Sequence, residues 1–392
     1  MLYLDNAATS PMRPQVFAAM LPYLQENFYN PSSVYSPARK VRAAIDDTRA
    51  FIGDALGVSS EEIFFTSGGT ESDNWAIKGT LEKATRGRHI VTSAAEHHGI
   101  LYVCKHLEKN GCEVTYLDVD GEGFVNAQDL ARALRDDTAL VSVMLANNEV
   151  GTIQPIAEMA EIARQRGVPF HTDAVQAVGH IPINISELGV DMLSFSAHKF
   201  GGPKGIGVMY IKKGTPVFPL FWGGAQERSK RAGTENVAGI VGMGEALKIT
   251  LEELPTEITR VSALRDKLIA EILREIPHTS LNGATGDKRL PGNVNVSFRF
   301  IEGESVLLIL DMQGCCASTG SACSSGSLEP SHVLTAMGIS PEMANGAIRF
   351  SLGAANSEND IYALMQILKP AVEKLRMLSP LYDDYLKNNK GS

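Results

Sequence analysis

Cysteine is scarce in this chain: five thiols in 392 residues, at Cys104, Cys112, Cys315, Cys316 and Cys323. The count is odd and no two of them stand as C-x-x-C. That pattern speaks against a disulfide framework and against a structural zinc site, and it leaves at least one thiol for reactive chemistry. No metal centre is expected. Basic charge is also short, with 36 Lys and Arg against 45 Asp and Glu, a formal net charge of −9. Such a balance gives no electrostatic footprint for nucleic acid or an anionic membrane. No apolar run approaches the roughly 18 residues that span a bilayer. The first residues, MLYLDNAATSP, lack the basic and apolar regions of a secretory signal, so the expected location is cytoplasmic. Internal repeats and low-complexity tracts are absent as well.

What the chain has is apolar residues, 44% of the total, enough for a large core and, at this length, for two domains. Short β-rich runs alternate with helical patterns. Strands are predicted at 62–67 (EIFFTS), 89–93, 113–118, 139–146, 168–172 and 191–196, and helices at 69–84, 97–110 and 156–165. Ser36-Pro37 is a good helix start and Gly57 a good stop. This rhythm predicts an α/β domain with a mostly parallel sheet. A long helical stretch, 235–275, carries Pro255, which is expected to break it. After it the rhythm changes to strands at 293–298 and 347–352 and helices at 304–312 and 358–377, a smaller α+β domain. The predicted boundary lies near residue 255.

Polar residues gather where predicted strands end. Asp173 and Gln176 follow one apolar run, and Ser196, His198 and Lys199 follow the next. Ligands of parallel sheets bind at such carboxyl ends. A lysine closing a buried strand is a candidate Schiff-base nucleophile. A carboxylate one strand away suits a pyridinium nitrogen, the usual pairing for pyridoxal phosphate (PLP). Singly, Lys199 reads as a solvated strand end and Asp173 as a cap. Together, in S-x-H-K spacing followed by GGPKG, they favour the cofactor site. Thr66-Ser-Gly-Gly-Thr-Glu71 lies between a strand and a helix, where Gly69, Thr70 and the helix amides can hold a phosphate. It is neither a Walker A loop nor a dinucleotide fingerprint. His97, in Glu96-His97-His98, can lie over a flat cofactor and move protons, or simply cap the next helix. Asn148 belongs to another polar strand end, Asn147-Asn148-Glu149. Cys323 sits in the middle of ASTGSACSSGSLEP, a run of small and polar residues that cannot bury much and is expected to be mobile. A cysteine there has little packing value, unlike Cys104 and Cys112, so a reactive role is the better reading.

The motifs SGGTES, AAEHHG, NNEVGT, DAVQ, SAHKFGGPKG, RAGTENV and STGSACSS, in this order along nearly the whole chain, resemble those of the NifS/IscS-like cysteine desulfurases. That family lies in class V of the aminotransferases, and the last motif resembles its long-loop group. The resemblance implies a PLP fold-type I homodimer with a seven-stranded-type sheet in a large domain (16–255). A small domain (256–392) would carry the cysteine loop (about 315–330), and residues 1–15 would pack with it. It implies that Lys199 carries the cofactor, Asp173 holds the pyridinium nitrogen and Gln176 the phenolic oxygen, and His97 stacks on the ring. Gly69, Thr70, Ser196 and His198 would hold the phosphate, with Thr234 reaching in from the other subunit. Asn148 would touch cofactor or substrate. Arg349 would bind the substrate carboxylate, with Asn30 a second candidate. The implied reaction is sulfur transfer from L-cysteine to Cys323 as a persulfide, leaving L-alanine. The sulfur then passes to an acceptor protein, an iron–sulfur scaffold or a tRNA-thiolation relay.

Two features depart from the family pattern: Cys315-Cys316 just before the loop, and a chain end soon after Ser379-Pro-Leu-Tyr382. Other readings keep part of the residue set. Another class V PLP enzyme, such as an aminotransferase or selenocysteine lyase, needs Lys199 and Asp173 but not Cys323. A non-catalytic docking subunit needs neither, and both are present.

Overall fold

A computed structural model describes residues 1–319 and 330–389. Its strands, in chain order, are β1 (Leu2–Tyr3), β2 (Ile63–Thr66), β3 (His89–Ser93), β4 (Glu113–Leu117), β5 (Thr138–Ser142), β6 (Phe170–Asp173), β7 (Met192–Ser196), β8 (Gly207–Ile211), β9 (Thr279–Leu281), β10 (Asn293–Phe298), β11 (Cys315–Cys316) and β12 (Ala347–Ser351). Seven of them form one sheet in the order β2-β8-β7-β6-β5-β3-β4. Only β8 runs against its neighbours, pairing antiparallel with both β2 and β7. The carboxyl ends of the other six strands therefore lie on one edge.

All residues of β2, β3, β5, β6, β7 and β8 are buried, because helices cover both sheet faces. Side chains alternate between the two layers. Phe65, Val91, Leu193, Phe195 and Val208 enter one cluster, and Phe64, Ile90, Met192 and Met209 enter the other with Trp75 and Ile100. Each such side chain contributes about 1.5–3 kcal/mol by leaving water. The helix Gly69–Lys83 lies on the second layer, and Ser36–Leu56, capped by left-handed Gly57, on the first.

The remaining strands make a three-stranded antiparallel sheet, β12-β10-β9, and a parallel pair, β1 with β11. Their own cluster includes Leu4, Val296, Phe298, Ile348 and Phe350. The helix Val237–Glu275 joins the two cores and runs through Pro255 without the expected break. Proline forfeits one backbone bond there, but the helix is anchored on both sides. Ile240, Met243 and Leu247 pack in the first core, and Val261, Leu264, Leu268 and Ile272 in the second. The later residues Val333, Leu334, Met337 and Ala344 return to the first core.

Candidate active site

The strand ends deliver their polar groups to the common edge. Asp173 closes β6, and in the parallel register it faces Ser194 of β7. β7 then ends at Ser196, and one 3-10 turn, Ala197–Lys199, carries His198 and Lys199. The Lys199 ammonium donates to the carbonyls of Ala7 (2.7 Å) and Ala8 (2.9 Å), and Gln176 Nε2 donates to the same Ala7 carbonyl at 2.9 Å. His198 Nδ1 lies 3.2 Å from Thr9 Oγ1. The segment from Asp5 to Ser10 is therefore part of the site. Motif reading missed it because its contribution is largely backbone oxygen; the small, polar Asp-Asn-Ala-Ala-Thr run is the only signal.

At the end of β2 the chain turns through Gly68, whose φ of 155° favours glycine, into the helix that starts at Gly69. A side chain at Gly69 would put its Cβ 2.5 Å from Val175 Cγ2, so any other residue would have to displace the Val175 side chain beside Asp173. The first helical turn presents amide N–H groups without intrahelical acceptors, a ready anion site. Thr70 is exposed on that turn, and Ser196 Oγ lies 3.6 Å from where a Cβ on Gly68 would be. Ser67 N–H is held by Glu71 Oε2 at 2.8 Å.

His97 caps the helix His98–Glu108, accepting from Gly99 N–H at 3.0 Å. Capping and site-lining are thus compatible here. Burial, with Lys199 nearby, pushes its imidazole down to about 4, so it is neutral. Burial pushes the Asp173 carboxyl up to about 6, against the pull of the Val175 N–H and Lys199. Glu96, also buried, is pushed up to about 8. Asp73, on the helix Gly69–Lys83, was not anticipated. One donor atom from each of Asp73, His97 and Asp173 lies within 4.8 Å of the others.

Arg349, on β12, is almost wholly buried. Its Nη1 donates to Asn148 O (2.8 Å) and its Nη2 to Asp5 Oδ1 (3.0 Å), while Nε has no partner among the described residues. Asn148 thus meets Arg349 through its backbone carbonyl. Thr234 is exposed beside a cavity of about 190 Å³ that Ser67, Gly205 and Arg231 also line. Asn30 is not brought to the cluster: it is exposed, and among the described residues its side chain only accepts from Ser32 N–H, at 2.9 Å. Cys323 lies outside the described residues, as does most of the expected 315–330 loop. Cys104 and Cys112 are buried in the second layer as expected, and Cys315 is buried, its thiol pushed up to about 12 by burial. A cavity of about 400 Å³ touches Lys199 and Arg13, but neither Asp173 nor His97 lines it.

The donor set fits PLP. A glycine turn with open amides suits a phosphate, and a buried carboxylate suits a ring nitrogen. A neutral imidazole suits a ring face, and an arginine whose buried Nε–H has no partner among the described residues suits a carboxylate. The family model for class V aminotransferases matches residues 2–364, and the chain belongs to that PLP-dependent family. Its relatives there are cysteine desulfurases. It is 54% identical over 390 residues, 99% of either chain, to the cysteine desulfurase IscS of Dictyoglomus turgidum. A solved NifS-like protein superposes with a TM-score of 0.90 at 38% identity, covering 95% of this chain and 100% of that one. A structure of SspA in complex with cysteine gives 0.80 at 36% identity, over 90% and 99% of the two chains. These similarities place the chain in the cysteine desulfurase branch of the family.

Proposed function

We propose that the protein is a PLP-dependent cysteine desulfurase, a sulfurtransferase whose net reaction joins the Cys323 thiol and L-cysteine to give a Cys323 persulfide and L-alanine. The observation that carries this reading is the convergence of Lys199, Asp173 and His97 on one sheet edge, with Arg349 of β12 reaching the Asn148 carbonyl and the Asp5 carboxylate beside it.

When bound, PLP supplies an electron sink for the substrate α-carbon. Lys199 anchors the cofactor and moves the α-proton; its amine is oriented by the Ala7 and Ala8 carbonyls. Asp173 holds the ring nitrogen, Gln176 the phenolic oxygen, and neutral His97 covers the ring and relays a proton. Gly69, Thr70, Ser196 and His198 hold the phosphate, joined by Thr234 of a second copy, and Asn148 borders the ring. Arg349 takes the substrate carboxylate, which replaces Asp5 at Nη2 and occupies Nε. Cys323 attacks the substrate sulfur, the C–S bond breaks, and the sulfur leaves for an acceptor protein of iron–sulfur assembly or tRNA thiolation.

The active unit is a homodimer. Support comes from apolar side chains left exposed on one copy, among them Phe28 (70%), Val34 (88%) and Trp222 (73%). The domains are 16–255 and 256–392, with 1–15 joining the second; the change of core partners along Val237–Glu275 and the place of Leu4 support this division. No helix among the described residues is long and apolar enough to cross a membrane. The free thiols of Cys104, Cys112, Cys315 and Cys316 suit the reducing cytoplasm. The test is to add L-cysteine and a reductant to the purified PLP-loaded protein. Alanine and sulfide should appear in equal amounts; transamination products without sulfide would refute the reading.

A further inference from the structure

In the trio of Asp73, His97 and Asp173, Asp73 is the member to which the proposed reaction gives no task. It is 1% exposed, and neither of its carboxyl oxygens has a hydrogen-bond partner among the described residues. A buried carboxylate anion without a donor is costly, so the groups around it decide what it is. From β6 it faces His171, whose Nε2 lies 3.7 Å from Asp73 Oδ1, and Asp173. His171 and Asp173 are two residues apart on one strand and so point to the same face. His171 is held between Ser142 Oγ (2.9 Å) and Ser194 Oγ (2.8 Å), and burial pushes its imidazole down to about 3, so it is neutral. From the turn after β3 come Glu96 and His97. Gly99 follows them, and a Cβ there would lie 3.1 Å from both Asp73 Oδ2 and His97 Nδ1. Among the described residues Lys199 is the cation facing the cluster, and its ammonium donates to the Ala7 and Ala8 carbonyls. Burial first, and then the charge of Asp173, push the Asp73 carboxyl well above the usual carboxylate range; Ser194 opposes this but lies outside hydrogen-bonding geometry.

We propose that Asp73 is a positioning residue that stays a neutral carboxylic acid, whose O–H steadies Asp173 so that Asp173 carries the negative charge facing the ring nitrogen. One oxygen of each carboxyl lies within 4.8 Å of the other, and the hydrogen bond between them is made by a side-chain rotation that the proposal requires. One proton shared by two neighbouring buried carboxyls is the arrangement their repulsion favours. The proposal rests on the reading of Asp173 as the ring-nitrogen carboxylate.

The test has two arms. Infrared difference spectra of wild type minus Asp73→Asn at pH 7, on full-length protein stripped of PLP and on loaded protein, should show loss of a protonated carboxyl C=O stretch that shifts in D2O. Loss of ionised-carboxylate bands alone overturns the proposal. In the second arm, the PLP dissociation constant should rise about 10-fold in Asp73→Ala, the scale of one lost hydrogen bond to a charged group. It should return to within about 3-fold in Asp73→Asn, whose amide still donates. Equal weakening in both variants overturns the donor role. Should Asp73→Ala fail to fold, the infrared arm still decides. Should wild type take up no PLP, the proposed function fails, while the spectrum of the stripped protein decides the protonation of Asp73 independently.

Discussion

Replacement of Arg349 gives the sharpest functional test of the geometry. Its guanidinium is held in β12, opposite Asn295 of β10, with the side chain only 3% exposed. Of its nitrogens, Nη1 is committed to the Asn148 carbonyl, Nη2 to Asp5, and Nε has no partner among the described residues. A substrate carboxylate therefore gains one new charge-assisted hydrogen bond at Nε and exchanges another at Nη2. The new bond contributes about 1.5–3 kcal/mol. The exchange gives up a partly exposed ion pair, Asp5 being 21% exposed, which contributes about 0–1 kcal/mol before the substrate takes its place. Arg349→Lys keeps the charge but loses the fork. Its kcat/KM for L-cysteine should fall about 10- to 100-fold, mostly through KM, with the visible PLP spectrum retained. Asp5→Asn removes the competitor and should lower KM by up to about 5-fold. The assay is steady-state alanine formation with PLP in excess. An Arg349→Lys enzyme within about 2-fold of wild type would refute the carboxylate assignment.

Lys199→Ala should lose the visible absorption of lysine-bound PLP and all turnover; an unchanged spectrum would show that another lysine carries the cofactor. Glu227 makes a buried bidentate pair with Arg49 (2.7 Å to each nitrogen), also accepts from Phe65 N–H, and stands at φ 44° in a left-handed run through Ser229. Glu227→Ala should cost about 3–5 kcal/mol, because it leaves Arg49 buried without its counter-ion; guanidinium unfolding that reveals less than about 1 kcal/mol would contradict this. Stripped of PLP, wild type should lose stability relative to Glu96→Gln as pH rises from about 6.5 to 8. In this window Glu96, pushed up to about 8 by burial, still holds a proton in the folded state that the unfolded chain has released. His97 and His171, depressed to about 4 and 3, and the other histidines that burial depresses raise stability with pH until the unfolded imidazoles have lost their protons, and they do so equally in wild type and variant. The Glu96→Gln profile should differ from wild type by the share of one proton, at most about 1.4 kcal/mol per pH unit, read from urea midpoints across pH, with the share of Asp73 present in both; identical profiles would place the proton elsewhere.

Side chains that end apolar runs were the most legible part of the site. Asp173 and Lys199 stand out because a charged residue after a fully buried strand has few structural uses, and the parallel topology then brings both to one edge. Glycine turns were legible for the same local reason, as at Gly69. Asp73 was not, because a single aspartate in a helix carries no pattern; only the packing of that helix on β6 and β7 buries it. Ala7 and Ala8 act through carbonyl oxygens, to which side-chain motifs are blind. β8 escaped notice because its five residues follow a glycine-rich turn and run antiparallel, breaking the strand–helix rhythm. The expected break at Pro255 failed because a local backbone defect was outweighed by two cores gripping one helix. Asn30 came from the family resemblance and sits exposed on a single copy, so its place depends on what a second copy brings near it.

The central claim, sulfur transfer to Cys323, is tested most directly by a single-turnover experiment. PLP-loaded protein without reductant is mixed with one equivalent of L-cysteine, quenched, alkylated and digested for mass spectrometry. The account requires one alanine per persulfide, with the persulfide on the Cys323 peptide. Cys316→Ala should leave that label in place, and Cys323→Ala should abolish both products while retaining the bound cofactor. Undiminished alanine formation by Cys323→Ala, or a persulfide found on Cys316 in its place, would contradict the account.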